Sequence, residues 1–169
     1  VDAIQYEYRT GIGTDIHRLV PQRPLMLGGI EIPFELGLLG HSDGDAVLHA
    51  IMDAVLGASG HGDIGMLFPD ADPQWQDADS RDLSLRVREK IKKDGWEIVN
   101  IDVIIHAQAP KLNSYKGQMK RAIAGLLDTD FANVNIKAKT NEGMDAVGQG
   151  QAIASTVSVL LRRRMKRTL

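Results

Sequence analysis

GDAVLHAIMDAVLGA, residues 44–58, is the stretch on which the fold turns. On a helical wheel Val47, Leu48, Ile51, Met52, Val55 and Leu56 form one wide apolar face. Ala46, Ala50 and Ala54 form a second face of small residues, suited to close contact with another element or subunit. Asp45, His49 and Asp53 form a third stripe along the edge of the apolar face. The pattern predicts a helix buried on two sides, with His49 half-buried between carboxylates one turn away in either direction. Two readings of His49 stand side by side: a satisfied histidine at the edge of the core, or a metal ligand. Just before the helix, Ser42-Asp43-Gly44-Asp45 supplies capping residues at a place where free N–H groups attract anions, and His41 stands next to it.

Working outward, Tyr8 to Leu19 reads as a strand broken by Gly11 and Gly13. Leu25 to Ile32 reads as a short strand interrupted by Gly28-Gly29 and closed by Pro33, and Glu35 to Asp43 as a loop. Gly60 to Asp79, with Pro69 and Pro73, is far longer than the usual connection of about 4–6 residues and is expected to be a functional loop. Asp79 or Ser80 caps a helix running to Lys93, with Leu83, Val87 and Ile91 at four-residue spacing. Trp96 to Ala107 is rich in Ile and Val and reads as a central strand, stopped by Pro110. Ser114 to Leu127 is helical through Met119, Ile123, Leu126 and Leu127, and Val134 to Lys139 alternates as a half-buried strand should. A glycine loop, Gly143 to Gly150, leads into an expected last helix ending in Arg162-Arg163-Arg164-Met165-Lys166-Arg167, whose cations would suit a helix C-terminus.

No repeat, linker or low-complexity tract divides the 169 residues, so 1–169 is expected to be one domain. A net charge of -2 and a pI near 6.2 argue against a nucleic-acid partner or an anionic membrane surface. The absence of cysteine excludes disulfides, Cys-ligated zinc, iron–sulfur clusters and thiol catalysis. No apolar run approaches the roughly 18 residues of a membrane span, and VDAIQYEYRT is too polar for a signal peptide. The expected compartment is the cytoplasm of a bacterial-type cell. A start at Val1 rather than Met reads as a processed or excised chain, which leaves a plastid open.

Four of the five histidines and eleven of the 17 glycines precede residue 66, and the chemistry is sought there. Asp15-Ile16-His17 places two ligand-type side chains on one face of a strand. Alone the pair is ordinary surface polarity; joined to His49 it gives one carboxylate and two imidazoles. Three protein ligands with a fourth position open is how catalytic zinc is held, and Asp45 or Asp53 could orient a ligand imidazole from behind. Asp63-Ile64-Gly65 adds an acid beside a glycine. Ala107-Gln108-Ala109-Pro110-Lys111 and Lys139-Thr140-Asn141-Glu142-Gly143 end two strands, where α/β ligands often sit, and Glu142 is able to hold Mg²⁺. Each is otherwise a plain strand-ending turn. A phosphate bound by so few cations must rely on metal ions, a helix N-terminus and backbone amides.

Together these segments resemble the 2-C-methyl-D-erythritol 2,4-cyclodiphosphate synthase family. The motifs are Gly13-Thr14-Asp15-Ile16-His17, His41-Ser42-Asp43-Gly44-Asp45 with His49, Gly62-Asp63-Ile64-Gly65 with Leu67-Phe68-Pro69-Asp70, Ala107 to Lys111, and Lys137-Ala138-Lys139-Thr140 with Glu142. The resemblance implies an α+β fold, a mixed four-stranded sheet packed with helices (chorismate-mutase-like), assembled as a homotrimer with active sites between subunits. It implies Zn²⁺, or another divalent transition metal, on Asp15, His17 and His49, with Mg²⁺ or Mn²⁺ at Glu142. His41 and Ser42 would bind the substrate diphosphate, and His41 with Thr140 would stabilise the transition state. Asp63-Ile64-Gly65 and Phe68-Pro69-Asp70-Ala71-Asp72 would hold the methylerythritol phosphate. Ala107-Gln108-Ala109-Pro110-Lys111-Leu112-Asn113 and Lys139-Thr140-Asn141-Glu142 would form the cytidine and diphosphate side. The implied reaction converts 4-diphosphocytidyl-2-C-methyl-D-erythritol 2-phosphate to the 2,4-cyclodiphosphate and CMP, a metal-dependent phosphorus–oxygen lyase step of the non-mevalonate isoprenoid pathway. A zinc phosphohydrolase of another nucleotide-diphosphate substrate and a non-catalytic trimeric module for phosphorylated ligands are the alternatives. The chain departs from the family's commonest pattern at Ala146 and Gln149, where an aromatic residue and an arginine are frequent; Gln149 argues against a prenyl-diphosphate ligand on the trimer axis.

Overall fold

Two glycines set how closely the main helix approaches the sheet. A computed structural model describes residues 4–69 and 71–165. Its first strand, β1 (Tyr6–Pro21), carries Gly11 and Gly13 on the side facing helix α1 (Ala46–Ser59). A Cβ on Gly11 would lie 1.9 Å from the Ala54 carbonyl oxygen, and one on Gly13 would lie 2.0 Å from that of Ala50. The small face of the helix therefore rests directly on glycine backbone. The sequence led us to expect these glycines to break the strand; instead they let it run unbroken beneath the helix.

Gly13→Ala should push α1 off the sheet and cost about 2–3 kcal/mol or more, because backbone rather than a flexible side chain meets the new methyl. Gly57→Ala, on the same helix with nothing within 4 Å of its Cβ position, should be neutral or stabilise by up to ~1 kcal/mol. Urea unfolding of the pair checks both signs.

The remaining elements are β2 (Leu25–Leu27), β3 (Ile30–Ile32), β4 (Leu36–Leu38), α2 (Ile64–Leu67), α3 (Ser80–Lys93), β5 (Glu97–His106), α4 (Lys116–Leu127), β6 (Val134–Lys139), α5 (Asp145–Gly148) and β7 (Ala152–Arg164). The sheet order is β4-β1-β7-β5-β6. β7 lies antiparallel to β1 and β5, while β5 and β6 run parallel. The sheet is mixed, with four long strands, and three-residue β4 extends one edge. The expected strand over Leu25–Ile32 is instead a hairpin, β2 turning into β3 through Gly28 and Gly29, both with positive φ. The 35–43 loop contains β4, and the 143–150 loop contains α5.

The last element is a strand, not the expected helix. Ile153, Ser155, Val157, Val159 and Leu161 are buried in alternation with Ala154, Thr156, Ser158 and Leu160, a period of two that β-branched residues favour. The arginines at its end pair across the sheet instead of capping a helix: Arg162 with Glu97 and Arg163 with Glu7. Lys166 and Arg167 lie outside the described residues.

α1 sits between the β1–β7 half of the sheet and α3, and α4 packs on β6 and α3. The opposite face of the sheet carries Ile12 and Ile16 of β1, with Leu160 of β7 and Ile104 of β5 on the same side by register. Ile12 and Ile16 are 72% and 58% exposed.

Candidate metal centre

Alternation along β1 puts Asp15 and His17 on the face that carries Gly11 and Gly13, beneath α1, and the His49 side chain descends from the helix to meet them. Asp15 Oδ2 lies 2.8 Å from His17 Nδ1 and 3.2 Å from His49 Nδ1, with the two imidazole centroids 5.2 Å apart. His49 is 8% exposed. Among the described residues this is the one group of three such donors gathered within 4.8 Å.

The donors fit a divalent metal on their own chemistry. His17 Nδ1 is buried and has no hydrogen-bond partner of good geometry among the described residues, although the Asp15 carboxylate is adjacent. A buried nitrogen left that way is costly, and a metal ion is one partner that would satisfy it. One carboxylate oxygen and two imidazole nitrogens, all within 4.8 Å of one another, are the donor types and the proximity that one divalent ion would need. Burial raises the Asp15 carboxyl, but the two imidazoles beside it outweigh burial and hold it at about 2. Burial lowers His49, and the Asp15 carboxylate outweighs that to raise it above 6.5. Without metal the cluster therefore keeps Asp15 as a carboxylate and favours the protonated His49 imidazole, whose proton an ion would displace.

The expected outer partners of His49 do not touch it. Asp45 is fully buried, caps α1, and accepts from Gly28, Gly29, Val47 and Leu48 N–H at 2.9, 2.7, 3.1 and 3.0 Å. Asp53 accepts from the Ile64 N–H at 2.8 Å and fixes the start of α2. His49 Nε2 instead faces Ser80 Oγ at 2.9 Å and Ser42 Oγ at 3.1 Å. The open helix N-terminus read from the sequence is likewise filled, since Val47 and Leu48 N–H are already bound by Asp45 and Gly44 N–H by Ser42. An anion here must find its positive charge elsewhere.

A cavity of about 610 Å³ opens on the cluster. It brings His41, Ser42, Ile64, Gly65 and Phe68 to Asp15, His17 and His49. Leu39, Trp75 and Leu83 complete its apolar wall; Leu83 was legible only as a helix-core residue, and Leu39 and Trp75 escaped the sequence reading because they sit in segments with no periodicity. Phe68 and Trp75 meet edge to face at 5.0 Å, and Gly40 leaves room for the His17 ring, which a Cβ would approach to 3.1 Å. Asp63 caps α2 through the Met66 N–H, and Asp72 accepts from the Gln74 N–H. Pro69 and Ala71 are exposed on the same loop, and Asp70 lies outside the described residues.

The second predicted group gathers elsewhere. Ala107 N–H donates to the Lys139 carbonyl and ties the ends of β5 and β6 together. Thr140 Oγ1 donates to Glu142 Oε1 at 2.7 Å, and Asn141 Oδ1 lies 3.1 Å from His106 Nδ1. Gln108, Ala109, Lys111, Asn113, Lys139, Thr140 and Glu142 are exposed, Pro110 and Asn141 are half-buried, and Leu112 is a core residue. None of residues 107–113 or 139–142 lines the 610 Å³ cavity.

Residues 8–162 match the YgbB family. The 2-C-methyl-D-erythritol 2,4-cyclodiphosphate synthase of Bordetella petrii is 52% identical over 92% of this chain and 96% of its own. That of Geobacillus kaustophilus is 49% identical over 92% and 99%. Among solved structures, the bifunctional IspDF of Campylobacter jejuni superposes with a TM-score of 0.90 and 41% identity, over 94% of this chain and 43% of that one. A CDP complex of Plasmodium falciparum IspF superposes with a TM-score of 0.82 and 33% identity, over 94% and 97%. With the metal cluster, the cavity and the sheet order all in place, the chain belongs to the YgbB family of 2-C-methyl-D-erythritol 2,4-cyclodiphosphate synthases.

Proposed function

We propose that residues 1–169 act as one synthase domain that turns 4-diphosphocytidyl-2-C-methyl-D-erythritol 2-phosphate into the 2,4-cyclodiphosphate with release of CMP. The observation that carries the reading is the convergence of Asp15, His17 and His49 on one wall of a cavity already lined by His41 and Ser42. An oxygen of the substrate's own 2-phosphate attacks the β-phosphorus, and the bond from that phosphorus to the CMP oxygen breaks. No protein nucleophile is required, in keeping with a chain free of cysteine. The work left to the protein is to position the reacting groups and neutralise their charge.

Asp15, His17 and His49 hold the first ion, Zn²⁺ or another divalent transition metal, which supplies Lewis-acid polarisation of the diphosphate when bound. His41 and Ser42 grip the diphosphate from the loop before α1. Asp63 to Gly65 and Phe68 to Asp72 enclose the methylerythritol phosphate, with the Phe68–Trp75 pair keeping water from that end. Residues 107–113 and 139–142 receive the cytidine and diphosphate, Thr140 assists His41 in the transition state, and Glu142 holds Mg²⁺ or Mn²⁺. These last segments stand outside the cavity of their own chain, which supports a neighbouring copy bringing them to it. The exposed Ile12 and Ile16 on the uncovered sheet face supply an apolar surface for a homotrimer with sites between subunits. No helix among the described residues is long and apolar enough to cross a membrane, and we place the reaction in the cytoplasm.

Mixing tests the shared site. His49→Ala and Glu142→Gln should each be impaired alone. Dissociated and reassembled together, they should recover roughly a quarter of the wild-type rate by random assortment in a cyclic assembly. A mixture no more active than its components contradicts a site built from two subunits.

A further inference from the structure

We propose that Ser80 and Asp43 are positioning residues that lock the His49 ring in the tautomer and orientation a metal ion requires. The inference rests on the reading of Asp15, His17 and His49 as metal ligands. His49 presents Nδ1 to the cluster, so Nε2 must carry the hydrogen and needs an acceptor behind it. Ser80 Oγ, fully buried and 2.9 Å away, is that acceptor. A hydroxyl could turn either way, but the Ser80 hydrogen is committed: it is donated to Asp43 Oδ1 at 2.5 Å, leaving lone pairs toward His49. Asp43 Oδ2 also accepts from the Ser80 N–H at 3.1 Å, which holds the serine at both its polar atoms. Ser42 Oγ is a poorer acceptor at 3.1 Å and already takes the Gly44 N–H, so it remains available to face the cavity.

The relay joins the metal ligand on α1 to the N-terminus of α3, through a loop contact in which the Asp43 N–H meets the Ala78 carbonyl and the Asp77 N–H that of His41. His41 and Ser42 belong to the same loop. The device that orients His49 thus also fixes the segment assigned to the diphosphate.

The test uses metal-free protein titrated with Zn²⁺ against a chromophoric chelator, and with Co²⁺ followed by its visible absorption. Ser80→Ala should weaken metal affinity by about 10–100-fold and alter the Co²⁺ spectrum. Ser84→Ala removes another fully buried hydroxyl from the same helix, one that among the described residues bonds only the Ser80 carbonyl, and should change neither. Wild-type affinity in Ser80→Ala overturns the proposal while leaving the metal site standing. Should Ser80→Ala melt well below Ser84→Ala, Asp43→Ala decides, since it removes the acceptor of the Ser80 hydrogen altogether: weakened affinity supports the relay, and unchanged affinity overturns it. If the wild type and His49→Ala bind Zn²⁺ alike, the metal reading itself fails and the relay with it.

Discussion

His49→Ala is expected to lose its bound transition metal and at least ~10²-fold in turnover, with little change in the fold. The size follows from what the side chain does. It is one of three donors, and a site left with one carboxylate and one imidazole falls short of the three protein ligands that hold a catalytic ion. The Lewis acid lost with it is worth several kcal/mol of transition-state stabilisation, and each ~1.4 kcal/mol is tenfold in rate. Stability should suffer less, because His49 lies at the edge of the core facing a polar cluster, not within the apolar face of α1. Elemental analysis and turnover measured on one preparation check both halves. Full metal in the variant, or near wild-type turnover without it, contradicts the ligand assignment.

Asp45→Ala should be the most destabilising substitution of the stripe, although it touches no substrate and no metal. Its carboxylate accepts four backbone N–H groups from two separate parts of the chain, the β2–β3 turn and the first turn of α1. Removing it leaves all four without an acceptor, and the site is fully buried. At about 1–3 kcal/mol for each donor left unsatisfied, with partial relaxation, the loss should reach about 3–5 kcal/mol, or roughly 10 °C in Tm. Asp45→Asn should fall between. Its oxygen can keep the three bonds now made to Oδ1, while its NH₂ would confront the Gly29 N–H. Calorimetry of the two variants orders them, and an Asp45→Ala protein as stable as the wild type would show that the turn and the helix do not depend on this carboxylate.

Those two residues also show how far the amino-acid order carried. The 44–58 stretch announced a helix with three distinct faces, and each face found a use: the apolar one in the core, the alanines on Gly11 and Gly13, and the polar stripe divided among three tasks. That Asp45 would serve the Gly28-Gly29 turn, and Asp53 the start of α2, was not legible, because helical spacing reports which residues share a face and not what lies opposite. Ser80 was read as a possible cap. Asp79 takes that role through the Arg81 N–H, which leaves the Ser80 hydroxyl for His49. The last strand was misread for a local reason. A run of arginines suited a helix end, and the alternation of Val157, Val159 and Leu161 before it carried the stronger signal. The Asp15-Ile16-His17 spacing needed only a period of two to be useful, so the metal cluster came through intact even where the strand around it was thought to be broken.

At the centre of the proposed function is that metal ions would supply the positive charge with which a slightly acidic protein closes a diphosphate ring. The direct measurement is ³¹P NMR of the CDP-linked substrate incubated with the protein, Zn²⁺ and Mg²⁺, repeated after chelation. The expected products are CMP and a cyclic diphosphate, formed only while metal is present. A linear product containing solvent oxygen would make the protein a phosphohydrolase, and tight binding without any product would make it a binding module; either result contradicts the claim.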